Sequence, residues 1–320
     1  MNIELVTFTH DELNKVCAFL SENYIEDNKF RYNYTIDFLK DYNINSGIIF
    51  NDEIVGFICG KIINLMLHNK EKLTAELNFL CVSKKHRNKQ YCPLLINDIK
   101  NKFILLGVED AIFSSEFTFP NSITHIDYYI HFLNVKKLIE IEYINTKASI
   151  NQIEEHYKIP KLKPSKKKLI LVDNNNINKC FELYNTYFKQ FDCYEKFTID
   201  SFTKQFINDH IKTYVLIENN IILDFISYYT IDALVLKQNI KTTDAYLYYY
   251  SNMSNNLYRM ILMLIILCNS KNIDSFIALN IMDNNVFDDL KFIKKQTNFN
   301  YYLFINNIKI KNHKLAKILY

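Results

Sequence analysis

The run Glu76-Leu77-Asn78-Phe79-Leu80-Cys81-Val82-Ser83-Lys84-Lys85-His86-Arg87-Asn88-Lys89-Gln90-Tyr91-Cys92-Pro93 joins an apolar strand to a cationic loop, and Pro93 sits where a helix should begin. Unpaired backbone N–H groups at a helix N-terminus, reinforced by Lys84, Lys85, Arg87 and Lys89, suit phosphate and pyrophosphate groups. A solvated basic turn is the competing reading of the same charges. Cys81 invites a nucleophile reading, but a thiol within an apolar strand is expected to be a small buried hydrophobe.

Strands and helices of alternating type must position that loop. Ile3 to Thr7 reads as a strand and Asp11 to Glu22 as an amphipathic helix, and Ile48 to Phe50 with Ile54 to Ile63 form a hairpin around Asn51-Asp52-Glu53. Ala75 to Val82 is a further strand, Pro93 to Leu106 a helix, and Asp110 to Ser114 and Leu138 to Tyr143 are strands. The polar, basic stretch Lys161 to Lys168 is the candidate linker. After it the order repeats. A strand at Leu169 to Val172 leads to a helix at Ile177 to Phe191, and Tyr214 to Tyr229 echoes the first hairpin. Ala245 to Ser251, a helix at Leu257 to Ser270 and a strand at Ser275 to Leu279 complete the second copy. The same order twice in one chain implies a fused pair related by pseudo-twofold symmetry, with an α/β fold.

Composition removes several function classes. With only four Gly in 320 residues, neither a P-loop nor a Gly-x-Gly-x-x-Gly dinucleotide site can be written. A net charge of +3 gives no global field for nucleic acid, so an anion must be held by a local cluster. The seven cysteines are scattered and never form Cys-x-x-Cys, which argues against disulfides or a zinc ribbon and for a reducing compartment. The longest apolar run, Met260 to Cys268, is too short to span a bilayer, and no leader is evident. These features lead us to expect a cytoplasmic monomer with no metal, no permanently bound cofactor, no nucleic-acid partner and no transmembrane segment.

The cationic junction resembles that of the N-myristoyltransferases. That family carries Phe-Leu-Cys-Val-His-Lys-Lys-Leu-Arg-Ser-Lys-Arg there, and Phe79 to Gln90 is similar at most positions. Further similarities fall in family order: Glu22-Asn23-Tyr24-Ile25-Glu26-Asp27 with Phe30-Arg31-Tyr32, Leu133-Asn134 with Lys137 to Glu140, Asp224 to Thr230, and Tyr301-Tyr302-Leu303. The resemblance implies two fused GNAT-like (acyl-CoA N-acyltransferase) halves, residues 1–160 binding acyl-CoA and residues 161–320 binding a peptide. It implies transfer of a myristoyl group from the co-substrate myristoyl-CoA to the N-terminal glycine of a protein. Phe79 and Leu80 would offer backbone N–H groups as the oxyanion hole. Cys81, Val82, Arg87, Asn88, Lys89, Gln90, Tyr91 and Cys92 would line the coenzyme A phosphate region. The base would be the free carboxylate of Tyr320, at the end of the apolar tail Lys314 to Tyr320. Peptide contacts would come from Tyr24, Glu26, Asp27, Phe30, Tyr32, Ser114, Tyr128, Tyr246 and Gln296.

The chain also departs from the family pattern. A leading segment whose aromatic residues cover coenzyme A in the family is not supplied, so either weaker acyl-CoA binding or substitution by another element is expected. A family histidine is replaced by Ile130, and the neighbouring His131 reads as a surface residue. Lys295-Gln296-Thr297 stands in place of Gly-Asp-Gly, which removes an acid that faces the peptide. Two other readings therefore stay open, a noncatalytic acyl-CoA and peptide binder and an N-acyltransferase of different acyl-chain specificity.

Overall fold

The computed structural model describes residues 3–25, 29–145, 147–284, 286–304 and 308–319. The first half contains β1 (Ile3–Val6), α1 (Leu13–Asn23), β2 (Phe30–Asn33), α2 (Ile36–Leu39), β3 (Ile44–Phe50), β4 (Glu53–Leu67) and β5 (Lys70–Val82). It continues through α3 (Tyr91–Leu105), β6 (Asp110–Ser115), β7 (Thr124–Phe132), α4 (Val135–Glu140) and α5 (Ile150–His156). The second half runs β8 (Lys168–Leu171), α6 (Ile177–Tyr187), β9 (Cys193–Glu195), α7 (Ile199–Phe206), β10 (Ile211–Glu218) and β11 (Ile221–Val235). It ends with β12 (Ile240–Tyr250), α8 (Leu257–Ser270), β13 (Ser275–Leu279), β14 (Ile293–Leu303) and β15 (Leu315–Ala316).

All strands join one sheet, whose main path is β1-β3-β4-β5-β6-β14-β7-β13-β12-β11-β10-β8. Read from either end this order is the same motif twice. In each half a three-stranded antiparallel meander is followed by a helix and a parallel strand, β5 to α3 to β6 and β12 to α8 to β13. The final strand of each half is exchanged: β7 pairs with β13 and β14 with β6, and the two meet at the centre. The short off-path strands obey the same symmetry, β2 on β11 and β9 on β4. The expected fused pair is thus present, interlocked through four exchanged strands.

Local chemistry explains the elements. The hairpins β3–β4 and β10–β11 turn on Asn51-Asp52 (φ 50° and 63°) and Asn219-Asn220 (φ 49° and 65°), the left-handed pairs that tight hairpins require and Asn and Asp tolerate best. Leu95, Ile99 and Phe103 form the buried stripe of α3, and a Cβ on Gly60 of β4 would lie 2.7 Å from the Phe103 ring, so this close approach needs glycine. Helix α8 is apolar on most of its surface and lies in the core.

Three expectations are corrected. Leu138 to Tyr143 is not a strand: Asn134 caps Lys137 N–H and starts helix α4, which ends at Glu140. Helix α3 begins at Tyr91, two residues before Pro93, whose missing N–H is one that no helix partner would have used. His131 is fully buried, its Nδ1–H donating to the Leu290 carbonyl at 2.9 Å, and burial pushes the ring down to about 4.

A strained bulge and a buried chain end at the candidate active site

Strands β5 and β6 pair in parallel only from Thr74 to Glu76, opposite Asp110 to Ile112, and then diverge. Three residues beyond the last pair, β5 breaks register with β4: Phe57 faces Cys81 and Cys59 faces Asn78, so Phe79 and Leu80 together oppose Ile58. This is a β-bulge, and Phe79 adopts φ 56°, a left-handed conformation that costs a bulky residue about 1–3 kcal/mol. Packing offsets the strain. The Phe79 ring is 2% exposed and lies 5.3 Å from the rings of both Tyr24 and Tyr34, contacts worth about 0.5–1.5 kcal/mol each beyond their area. Leu80, by contrast, is 39% exposed at the mouth of the splay.

A hydrogen-bonded chain runs from the bulge into the core. Phe79 N–H donates to Asn78 Oδ1 at 2.9 Å, Asn78 Nδ2 donates to Tyr42 Oη at 3.3 Å, and Tyr42 Oη–H donates to Glu76 Oε1 at 2.7 Å. Glu76 Oε2 then meets the Lys317 ammonium at 2.7 Å, and Lys317 reaches Glu195 Oε2 at 2.5 Å. Lys61 stands 3.8 Å from Glu76, which completes two acids and two bases. Burial pushes the Lys317 amine down, but Glu195 and Glu76 outweigh it and hold the ammonium well above its ordinary range. Burial likewise raises Glu76, and Lys317 and Lys61 overcome that to leave the carboxylate below its usual value. Loss of one partner from such a buried group costs about 3–5 kcal/mol.

Lys317 belongs to the chain end. Strand β15 pairs in parallel with β9, and every residue from Leu315 to Leu319 is buried. Ile318 N–H donates to Tyr249 Oη at 3.0 Å and Leu319 N–H to Tyr301 Oη at 2.9 Å, so two phenols hold the last described residues. Tyr249 is three residues beyond Tyr246, the last residue of β12 paired in parallel with β13. Phe79 holds the same place beyond Glu76 in the other half. The two pseudo-equivalent openings of the sheet thus have different contents, a strained bulge in one and the chain's own tail in the other.

The cationic loop lies beside the bulge. Lys84, Lys85, Arg87, Asn88, Lys89 and Gln90 are exposed, as is Cys92, whereas Cys81, Val82 and Tyr91 are buried. Burial pushes the Cys81 thiol up to about 12, which suits a core residue and not a nucleophile. Lys84 N–H donates to Asn23 Oδ1 at 3.2 Å, tying the loop to the end of α1, and Asn88 and Gln90 take left-handed φ values of 65° and 59°. Gln90 provides no side-chain cap to the first turn of α3.

The expected peptide contacts divide. Tyr24, Tyr32, Tyr128 and Tyr246 pack on one core cluster: Tyr24 packs on Phe79, and Tyr128 meets Phe299 at 5.0 Å. Tyr246 stacks on Tyr229 at 5.1 Å, and Phe30 meets Tyr143 at 5.4 Å. Ser114 is exposed on β6 opposite Tyr301, and Gln296 is exposed on β14. Glu26, Asp27 and Tyr320 lie outside the described residues. Asn78, Tyr42, Glu195 and Lys317 were not singled out by type or spacing, though a lysine inside the run Leu315 to Leu319 is a visible anomaly. No helix among the described residues is long and apolar enough to cross a membrane.

Comparison with known proteins agrees with this geometry. Residues 2–126 match the family described as "Myristoyl-CoA:protein N-myristoyltransferase, N-terminal domain", and residues 138–317 match its C-terminal domain. A glycylpeptide N-tetradecanoyltransferase of Plasmodium falciparum is 33% identical over 305 residues, covering 89% of this chain and 74% of the relative. The protein of that name from Saccharomyces cerevisiae is 30% identical over 338 residues, covering 92% and 74%. A crystal structure of the Saccharomyces cerevisiae N-myristoyltransferase with bound myristoyl-CoA superposes with a TM-score of 0.92 at 25% identity, over 99% of this chain and 85% of that one. A GCN5-related N-acetyltransferase from Anabaena variabilis shares the fold, with a TM-score of 0.58 at 8% identity over 94% of this chain and 72% of its own. Matched along nearly its whole length in sequence and in fold, the chain belongs to the N-myristoyltransferase family and is an acyltransferase.

Proposed function

We propose that the protein transfers a myristoyl group from myristoyl-CoA to the amine of an N-terminal glycine, with residues 1–160 holding the acyl-CoA and residues 161–320 the peptide and the base. The observation that carries this reading is the strained bulge at Phe79, at the point where β5 and β6 part. Phosphates of coenzyme A bind the loop Lys84 to Gln90 and the uncapped first turn of α3, where backbone N–H groups and cations converge. The thioester oxygen then lies at the bulge and accepts from the N–H groups of Phe79 and Leu80 as charge develops on it. Phe79 N–H donates to Asn78 Oδ1, so the Asn78 side chain must yield that donor when the substrate arrives.

Attack needs a neutral amine. A chain-terminal carboxyl ionises near pH 3.5 and a peptide amine near 8, so proton transfer between them in water is uphill by about 6 kcal/mol. Burial raises the first and lowers the second, which is why a carboxylate at the end of the buried Leu315–Leu319 segment can serve where a solvated one could not. In this reading the Tyr320 carboxylate takes one proton from the glycine ammonium. The freed amine attacks the thioester carbon, the tetrahedral intermediate collapses, and coenzyme A leaves as its thiol with the second proton.

The test is acyl transfer to a glycine-starting peptide, to its alanine-starting variant and to an N-acetylated control, read by mass. Only the first should gain an acyl group. Extending the chain by one residue beyond Tyr320 moves the carboxylate by up to about 3.5 Å and puts an amide in its place, so it should abolish transfer while acyl-CoA still binds. Transfer at full rate by the extended chain would refute the base assignment. Tight acyl-CoA binding with no transfer by the parent chain would favour a noncatalytic binder.

A further inference from the structure

Strand β14 leaves its ladder with β7 for three residues: Lys294 faces Tyr129 and Asn298 faces Asp127, so Lys295, Gln296 and Thr297 together stand against Tyr128. Gln296 and Thr297 point to solvent, but Lys295 turns inward and is half-buried. Its Nζ donates to Tyr143 Oη at 3.1 Å and lies 5.6 Å and 6.0 Å from the ring centroids of Tyr143 and Tyr128. Among the described residues no carboxylate comes within ion-pair distance of it, whereas the neighbouring Lys294 pairs with Asp127 at 2.8 Å. Asp244 is the acid that faces it, and that group is buried and accepts a hydrogen bond from Ser275 Oγ. Burial pushes the Lys295 amine down, with Asp244 opposing. The same tyrosines lead away from it toward the bulge: Tyr32, Tyr128, Tyr143 and Tyr246 pack on one buried cluster, and Tyr24, Tyr32, Tyr128 and Tyr246 pack on the core cluster that contains Phe79, whose ring Tyr24 meets at 5.3 Å.

A partly desolvated ammonium whose facing acid, Asp244, lies beyond ion-pair distance is only partly compensated, and a ligand carboxylate would complete the compensation. We infer that Lys295 is a specificity residue that receives an acidic side chain of the peptide, so that the substrates of this enzyme are glycine-starting proteins with Asp or Glu downstream of the glycine. The inference rests on the proposed transfer to glycine and names the substrate class of that same site. Tyr143 and Tyr128 frame the ammonium, and a peptide carboxylate would complete its shell.

The test compares kcat/KM for glycine-starting peptides in which Glu, Ala or Lys is walked through the positions after the glycine. At one position the parent chain should prefer Glu over Ala by about tenfold, the scale of a charge-assisted hydrogen bond, and the advantage should shrink as NaCl is raised. In Lys295→Met the ratio should fall to about one, and Lys295→Glu should favour the Lys peptide instead. An unchanged Glu-to-Ala ratio in Lys295→Met, or a salt-independent ratio in the parent chain, overturns the inference and leaves glycine acylation standing. Calorimetric titration of the same peptides into the myristoyl-CoA-loaded chain separates the other failure. Lys295-dependent tighter binding of the Glu peptide with no transfer would sink the proposed reaction and keep this role, and equal binding of all three peptides would sink this role.

Discussion

Replacing Lys317 with Met tests the buried link between the two halves. The ammonium meets Glu76 at 2.7 Å and Glu195 at 2.5 Å, and it is 1% exposed, so the substitution takes the cation from two buried carboxylates, of which Glu76 keeps the more distant Lys61 at 3.8 Å. The cost should be about 3–5 kcal/mol, a large part of the roughly 5–15 kcal/mol that holds a domain folded. Adding Glu195→Gln should recover part of it, because Glu76 keeps Lys61 as a partner, so the two changes should be non-additive in urea unfolding. The pH profile gives a second reading. In the parent chain Glu76 has a lowered pKa, so its stabilisation is present above the unfolded-state value near 4.3 and is lost as pH falls through the lower folded value. In Lys317→Met Glu76 loses its nearest cation while burial still raises it, so it should titrate above its unfolded value, a penalty that is present at neutral pH and relieved on mild acidification. The variant should therefore gain stability between about pH 7 and 5, where the parent does not. An undamaged Lys317→Met, or simple additivity with Glu195→Gln, would refute the ionic account of this link.

Three further outcomes are expected. Tyr249→Phe and Tyr301→Phe each leave a buried tail N–H without its acceptor, so each should cost about 1–3 kcal/mol and lower kcat while acyl-CoA affinity holds; unaltered kcat in the double variant would mean the phenols do not position the chain end. His131 is neutral in the folded protein and its ring is pushed down to about 4, so its contribution is present above the unfolded value near 6.5 and is lost as pH falls toward 4. His131→Asn should flatten the fall in melting temperature across that window, and an identical profile would refute the assignment. Gln296→Asp places an acid next to Lys295 and should raise the advantage of a lysine-bearing peptide over its alanine variant by about 1 kcal/mol, measured as a kcat/KM ratio; no change would mean that the loop does not face the peptide.

The repeat, the hairpins and the cationic junction were legible because they rest on local signals, such as the Asn51-Asp52 and Asn219-Asn220 turns and the apolar runs of α8 and β13. Strands β7 and β14 were not. Each finds its partners in the opposite half, and a sequence such as Thr124-His125-Ile126-Asp127-Tyr128 carries no sign of which distant segment will cover it. Leu138 to Tyr143 alternates well enough to pass for a strand, and the Asn134 cap that decides for helix precedes the misread run. The functional lysines were hidden by a different rule. A lysine is ordinarily a surface residue, and only tertiary pairing with Glu76 and Glu195, or enclosure by Tyr128 and Tyr143, turns Lys317 and Lys295 inward.

Long-chain acyl transfer to an N-terminal glycine can be tested in a single competition. The protein is incubated with a glycine-starting peptide and an equimolar mixture of acetyl-, lauroyl-, myristoyl- and palmitoyl-CoA, and the peptide mass is followed with time. Burial of about a dozen methylenes at about 0.8 kcal/mol each makes the chain the dominant source of affinity, so the mass gained should be that of myristoyl, with little acetyl. Preferential acetylation, or a peptide that stays unmodified while the acyl-CoAs remain intact, would contradict the account.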